Sequence, residues 1–499
     1  MGIRRQSIFS SLLIYVGFIF GALNTYLFTK QGLFKPEEYG LIQVILNVNL
    51  VFFSICTLGG PAMMSRFFPY YQDLPKKQND LFSFVLLASL AGFTILCLLA
   101  YFFQPLVVRK FQTTSALLIN YYYWILPYTL FYTIFYILEV QSYISKKGVA
   151  PSFLKETVNR LIVTFLIVLF MLKVINFDQF VKSYVFSYVL LIIFLGAFLY
   201  KRNLLSLTVT ISPVTKTHYK EILKMMLFVY AGGIVYYLGL NFDSINLTRQ
   251  EGLEKAAIFT LSNYIASIIS VPQRSIVAIT SPYIAQAWKE KNLTEISRIY
   301  NRSSINMLII SLFIFLNIWL NIDDAYTAFN INPTFTAGKY VILVLGLKFI
   351  IDMGTGVNSQ MLYTSNFWKF EFLTGVVLLF LTIPLNYWLT QKHGMVGAGI
   401  AGFISLTVYN AIRMGFIYYK FKMQPFTINS LKAIATAAAI YFAIFFITKN
   451  ISGVTGMFVK SALFSLLFIV TVYYLKLTPD MAPVIHSIKK RMGMKSNSV

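Results

Sequence analysis

Lys348 and Asp352 stand four residues apart in the otherwise apolar run VLGLKFIIDMGTG. On a helix that spacing puts both on one face. A charge near the centre of a membrane-spanning helix costs about 2.5–3.5 kcal/mol, so each needs a partner or water. Two chemistries fit the pair. The residues neutralise each other and fix helix packing, or Lys348 faces a water-filled cavity as a cation for a phosphate while Asp352 tunes it or relays an ion. Gly354, Gly356, Asn358 and Gln360 follow, a polar, flexible continuation that suits a cavity lining and a hinge.

A second charged stretch runs from Gly239 to Pro282. Asp243 lies beside Asn241 in LNFDSINL, and Arg274 and Pro282 sit in the apolar run that follows. Asp243 either reaches headgroup water or serves as a proton- or cation-coupling carboxylate. Arg274 either snorkels to the cytoplasmic face or lines a cavity mouth where an anionic headgroup enters. Arg66, Arg160 and Arg413 have similar placements, with snorkelling the expectation for each, and Glu139 is expected to pair with one of these arginines. The amides Asn24, Gln43, Asn47 and Asn49 fit interhelical hydrogen bonding and sugar contact equally well. Pro61, Pro127, Pro272, Pro282 and Pro384 fall in or at the ends of apolar runs and are bend candidates, with Pro61, Pro282, Gly354 and Gly356 as hinges. Cys56, Cys97 and three scattered histidines suggest neither a disulfide framework nor a metal site.

The elements that must carry these residues follow from composition. The chain has 499 residues, 57% hydrophobic and 12% charged, with a mean hydropathy of +0.68. Soluble domains carry about 25% charged residues, so this is a polytopic membrane protein. At about 20 apolar residues per crossing, the sequence reads as about 14 transmembrane helices. Their centres lie near Phe18, Val48, Gly92, Phe131, Leu166, Leu191, Gly233, Ile268, Ile314, Leu345, Leu379, Leu406, Ala443 and Leu467; they are numbered here as spans 1 to 14. The loops are short, and no cleavable signal precedes span 1.

The net charge of +24 would suggest nucleic acid in a soluble protein, but here the charge sits in loops. Lys76–Lys77, Lys146–Lys147, Lys201–Arg202, Lys289, Lys420 and the tail Lys489–Arg491 all fall on even-numbered connections or beyond span 14. The positive-inside rule then places both termini in the cytoplasm.

The chain also repeats. Span 2 ends in RFFPYY (Arg66–Tyr71) and span 8 in TSPYIAQAW (Thr280–Trp288), each with Pro-Tyr at the cytoplasmic end. An offset of six helices predicts two lobes of the same membrane sense, 1–205 and 206–425, with spans 13 and 14 plus the basic tail over 426–499.

With EEYG at Glu37–Gly40, LNFDSINL at Leu240–Leu247 and IPLNYWLTQKHGMVGAGIAGFIS at Ile383–Ser405, the sequence resembles the polysaccharide biosynthesis, O-antigen flippase-like family of the multidrug, oligosaccharidyl-lipid and polysaccharide exporters. The resemblance implies an all-α fold of two six-helix lobes around a central cavity plus two C-terminal helices. It further implies alternating access of a lipid-linked oligosaccharide, of the undecaprenyl-diphosphate type, across a bacterial cytoplasmic membrane, without enzymatic chemistry or a bound cofactor. Coupling to a proton or sodium gradient or to membrane potential is expected. The expected partners are the lipid-linked glycan, membrane lipids and the glycan assembly machinery, with a monomer sufficient for function. An ion-coupled exporter of small cations is the alternative, although Lys348 and several arginines accompany the acids. A membrane glycan polymerase or ligase fits less well, because no large extracytoplasmic loop is present, and no G-x-x-x-x-G-K-[ST] run occurs for ATP hydrolysis.

Overall fold

The computed structural model describes residues 3–208, 210–481 and 483, with side chains from Val16 onward. The basic run Lys489–Arg491 lies outside the described residues. There is no β-strand among the described residues, and each expected span centre falls in a helical segment. Spans 1 to 7 are carried by Ile3–Thr29, Pro36–Thr57 continued by Gly60–Tyr71, Leu81–Phe111, Ile125–Ile144, Asn159–Met171, Ser187–Lys201 and Pro213–Glu251. Spans 8 to 10 are Leu253–Ser267 continued by Val271–Lys289, then Leu293–Ala328, then Lys339–Gly354 followed by the short Asn358–Tyr363. Spans 13 and 14 are Ile428–Ile447 and Gly453–Tyr474. Ten segments among the described residues are long and apolar enough to cross a bilayer.

Spans 11 and 12 share the 54-residue stretch Trp368–Phe421. At 1.5 Å per residue it would run about 80 Å, far beyond a hydrocarbon core of about 30 Å. Gly394, at φ 57° and ψ −140°, breaks it into two helices. That backbone conformation is nearly reserved to glycine. A Cβ on Gly397 would lie 1.9 Å from the Leu389 carbonyl oxygen, so this turn needs a second glycine for the chain to pass itself. The protein is an all-α, multi-pass membrane protein.

By its contacts the chain forms two compact units, residues 1–257 and 258–499. The sequence-based boundary lay at 205/206, ahead of span 7. Span 7 stays with the first unit because it is stitched to span 2: Asn47 Nδ2 donates to Ser244 Oγ at 2.8 Å. Gly59 lies so close to span 7 that a Cβ there would come within 2.5 Å of the Met226 carbonyl oxygen.

In the first unit, spans 1 and 5 meet across small residues. Gly17 and Gly21 form a G-x-x-x-G face on span 1, and a Cβ at Gly17 would sit 2.1 Å from the Glu156 carbonyl oxygen. Asn24 completes the seam, donating to the Arg160 carbonyl (2.9 Å) and accepting from Thr164 Oγ1 (2.7 Å). Close backbone approach and interhelical hydrogen bonds hold helices together where lipid removes the hydrophobic drive between them.

In the second unit, span 9 is the post to which spans 13 and 14 are tied. Phe313 stacks on Phe464 and Phe468, at 6.2 and 5.9 Å between centroids. At one end Asp324 accepts from Lys460 and from the Gly453 amide. At the other, Asp480 accepts from Arg302 and from Asn306 Nδ2.

Candidate functional site

Four spans of the second unit send polar side chains into one network. Asp352 accepts from Gln273 Nε2 of span 8 (3.2 Å) and from Asn410 Nδ2 of span 12 (3.1 Å). Asn410 Oδ1 in turn accepts from Asn358 Nδ2 at 2.9 Å. Asp352 and Asn358 flank the break in span 10, so the Asn410 side chain bridges it from outside. Gly356 turns the chain there at φ 69°, and the Gly354 carbonyl accepts from Ser304 Oγ of span 9. Asn410 uses both ends of its amide, which fixes its orientation.

One turn further along span 12, Arg413 donates to both carboxylate oxygens of Glu371 on span 11 and to the hydroxyls of Ser359 and Tyr409. Its guanidinium also lies 3.6 Å from the centroid of the Tyr409 ring. The Arg413 and Glu371 side chains are 6% and 11% exposed. The expectation that Arg413 snorkels is therefore corrected. A guanidinium with a carboxylate fork, two hydroxyls and an aromatic face is fully provided for inside the protein and does not need headgroup water.

Lys348 stands apart from both clusters. It forms no ion pair among the described residues; its four-residue partner Asp352 is engaged by the two amides instead. Lys348 is half-buried, with its ammonium 5.6 Å from the centroid of the neighbouring Phe349 ring. Its stem lies against span 12 where Gly402 leaves room: a Cβ there would sit 3.4 Å from Lys348 Nζ. An ammonium without a carboxylate partner in a membrane span is costly unless water or an anion attends it.

The remaining sequence candidates lie elsewhere. Arg274 neighbours Gln273 but is exposed and forms no ion pair among the described residues. Pro282 is exposed within Val271–Lys289, and the helix continues through it. The break in span 8 falls earlier, at the tight turn Ile268–Ser270. In the first unit, Pro61 opens Gly60–Tyr71 immediately after Leu58 (φ 45°) and Gly59 (φ 76°), so span 2 bends at that point. Arg66 is exposed, 3.8 Å from the Met225 sulfur. Asn241 is buried and donates to the Tyr237 carbonyl of its own helix at 2.7 Å. Asp243 is half-buried on the same helix.

Glu139 pairs with a lysine, not an arginine. Lys155 Nζ reaches both its oxygens at 3.0 and 3.3 Å, and Tyr143 donates to it at 3.2 Å. Lys155 belongs to a single wide turn, a π-helix over Leu154–Val158, which changes the rotational register of span 5 there. Arg160, one of the expected partners, is satisfied by Glu156 at 2.8 Å.

Gln273, Ser359, Glu371, Tyr409 and Asn410 are the network members that the sequence reading passed over. Asn410 and Arg413 share a face at i and i+3 in an apolar span, a spacing that could have flagged them. Gln273 and Glu371 lie more than 75 and 40 residues, respectively, from their partners, and no local pattern announces such pairs.

Residues 3–288 match the family model described as polysaccharide biosynthesis protein. No curated protein sequence matches the chain. Among solved structures, the chain is similar to the lipid II flippase MurJ in an inward closed conformation, with a TM-score of 0.73 at 15% identity, covering 94% of this chain and 99% of that one. It is also similar to an inward-facing multidrug-resistance MATE transporter of the MOP superfamily (0.60, 14% identity, 82% and 94% covered). A MOP superfamily transporter from Pyrococcus furiosus, whose binding pocket is described as of reverse polarity, follows (0.52, 15% identity, 84% and 95% covered). At these identities the likenesses concern the fold. The family match itself covers more than half of an all-α membrane chain: the chain belongs to the polysaccharide biosynthesis protein family.

Proposed function

We propose that the protein is a flippase. Its substrate is a lipid-linked oligosaccharide of the undecaprenyl-diphosphate type, carried across a bacterial cytoplasmic membrane for cell-surface polysaccharide such as O-antigen. The observation that carries this reading is Lys348, a mid-span ammonium without an ion-pair partner among the described residues, in a chain of the polysaccharide biosynthesis family. The likeness to a lipid II flippase supports it at the level of fold.

The physical task is to move a polar headgroup while its lipid tail stays in the bilayer. Each hydroxyl taken into hydrocarbon without a partner costs roughly 4–8 kcal/mol, and phosphates cost more. Each tail CH₂ left in lipid keeps about 0.8 kcal/mol. A laterally open polar cavity removes the first cost and keeps the second gain. Lys348 meets a substrate phosphate, while the Asp352–Asn410–Asn358 chain holds the break of span 10 in shape. Alternating access uses the broken helices as hinges, at Leu58–Pro61 in span 2, Ile268–Ser270 in span 8 and Gly354–Gly356 in span 10. The cycle makes no covalent bond. A proton gradient, a sodium gradient or the membrane potential drives it, with both termini in the cytoplasm and a monomer sufficient. Enzymes of glycan assembly on either side of the membrane supply the substrate and consume the product.

Deleting the gene in its host tests the reading. Lipid-linked glycan precursors should accumulate in the cytoplasmic leaflet while the surface glycan disappears. Normal surface glycan together with new sensitivity to cationic drugs would instead favour the exporter of small cations.

A further inference from the structure

The first unit holds an aromatic cluster in the middle of its helices that packing alone does not explain. The Phe53 ring of span 2, 4% exposed, is met nearly at right angles by three tyrosines. Tyr132 and Tyr136 of span 4 approach at 5.2 and 4.9 Å, and Tyr237 of span 7 at 5.9 Å. All three tyrosines are half-buried, and their hydroxyls form no hydrogen bond among the described residues. Tyr132 and Tyr136 lie about 11 and 17 Å along span 4 from its start, at 1.5 Å per residue, too deep for the aromatic belt at a membrane interface. Phenol hydroxyls at that depth need a polar partner.

One turn beyond Tyr136 on the same helix face is Glu139, 3% exposed and bound to Lys155 and Tyr143. Lys155 reaches it from the π-turn of span 5, its ammonium 5.7 Å from the centroid of the Tyr136 ring. Single π-turns inside α-helices frequently mark functional sites. Here the turn brings a cation to a buried carboxylate beside three unbonded phenols. The Glu139–Lys155 pair is neutral overall and supplies both an acceptor and a donor. The cluster therefore suits a ligand with an apolar ring face and a rim of hydroxyls better than it suits a phosphate.

We propose that Tyr132, Tyr136 and Tyr237, with Glu139 and Lys155 at one end, form a saccharide subsite that takes a neutral sugar ring. An aromatic lining with a few convergent polar groups is the usual make-up of a small-molecule site. This rests on the reading of the substrate as a lipid-linked glycan and names the chemistry by which the first unit would hold its sugar part.

The test uses the full-length protein in lipid nanodiscs and a panel of methyl glycosides of common hexoses, deoxyhexoses and N-acetylhexosamines, read by saturation-transfer NMR. At least one glycoside should receive magnetisation from the wild-type protein, and its affinity should fall at least tenfold in Tyr136→Ala. Tyr136→Phe keeps the ring and the packing and should still weaken binding severalfold, so a poorly folded alanine variant does not decide the matter. No transfer to any glycoside, or a Tyr136→Phe variant with wild-type affinity, overturns the subsite. The probes carry neither lipid nor phosphate. Tyrosine-dependent binding therefore stands even if lipid-linked glycan is not flipped, and flipping with tyrosine-independent binding removes the subsite alone.

Discussion

The charged side chains of spans 10 to 12 differ in their provision, and the proposed function assigns them different work. Arg413 and Glu371 are satisfied by each other and by the Ser359 and Tyr409 hydroxyls, so their contribution is to hold spans 11 and 12 together. Removing one member of a buried pair typically costs about 3–5 kcal/mol, because the other charge is left without compensation. Glu371→Gln should accordingly lower the thermal melting point of the detergent-solubilised protein by several degrees, and replacing both residues with apolar ones should recover much of the loss. Lys348 has no such partner and should behave in the opposite way. Lys348→Gln should leave the melting point unchanged or raise it, and reduce glycan export at least tenfold in complementation of a deletion strain; Lys348→Arg should retain most of the export. A Lys348→Gln variant that melts early and exports normally would reduce the residue to a packing role. From sequence, the placement of Lys348 and Asp352 four residues apart on one helix was legible. Their failure to pair was not, because it depends on Gln273 and Asn410 arriving from other helices to occupy the carboxylate.

At the level of elements, glycines decide where helices turn or approach. Gly394 makes two spans of Trp368–Phe421, and Gly397 lets the second pass the first. Gly397→Val should lower expression and melting temperature sharply, whereas Gly415→Ala, in open space on the same span, should leave both unchanged; fluorescence-detected size exclusion of tagged variants measures the contrast. Hydropathy placed both span centres correctly because each helix is apolar for a full crossing. The site of bending in a span was less accessible. Pro282 was expected as a hinge, yet the helix runs through it. The break in span 8 occurs at Ile268–Ser270, just ahead of Pro272, the other bend candidate in that run, whose ring nitrogen has no N–H to bond back to Ile268. The wide turn in span 5 was also invisible: LKETV has ordinary helical composition, and the turn coincides with contacts distant in sequence, the close approach of Gly17 to Glu156 and the Glu139–Lys155 pair.

At the scale of the molecule, the sequence and the fold agree on a polytopic all-α chain, and the fold adds the ties that bind span 14 and the segment after it to span 9 at both ends. The proposed task, carriage of a polar headgroup past hydrocarbon, accords with membership of the polysaccharide biosynthesis family. The intramembrane lysine supports an anionic headgroup. The most direct test uses the purified protein in proteoliposomes loaded with an undecaprenyl-diphosphate-linked oligosaccharide, followed by the fraction of glycan protected from an added glycosidase. The flippase account predicts that wild-type protein moves the protected fraction across the bilayer, and that the rate falls at least tenfold in Lys348→Gln. An unchanged protected fraction with wild-type protein, under imposed proton, sodium and electrical gradients alike, would contradict it.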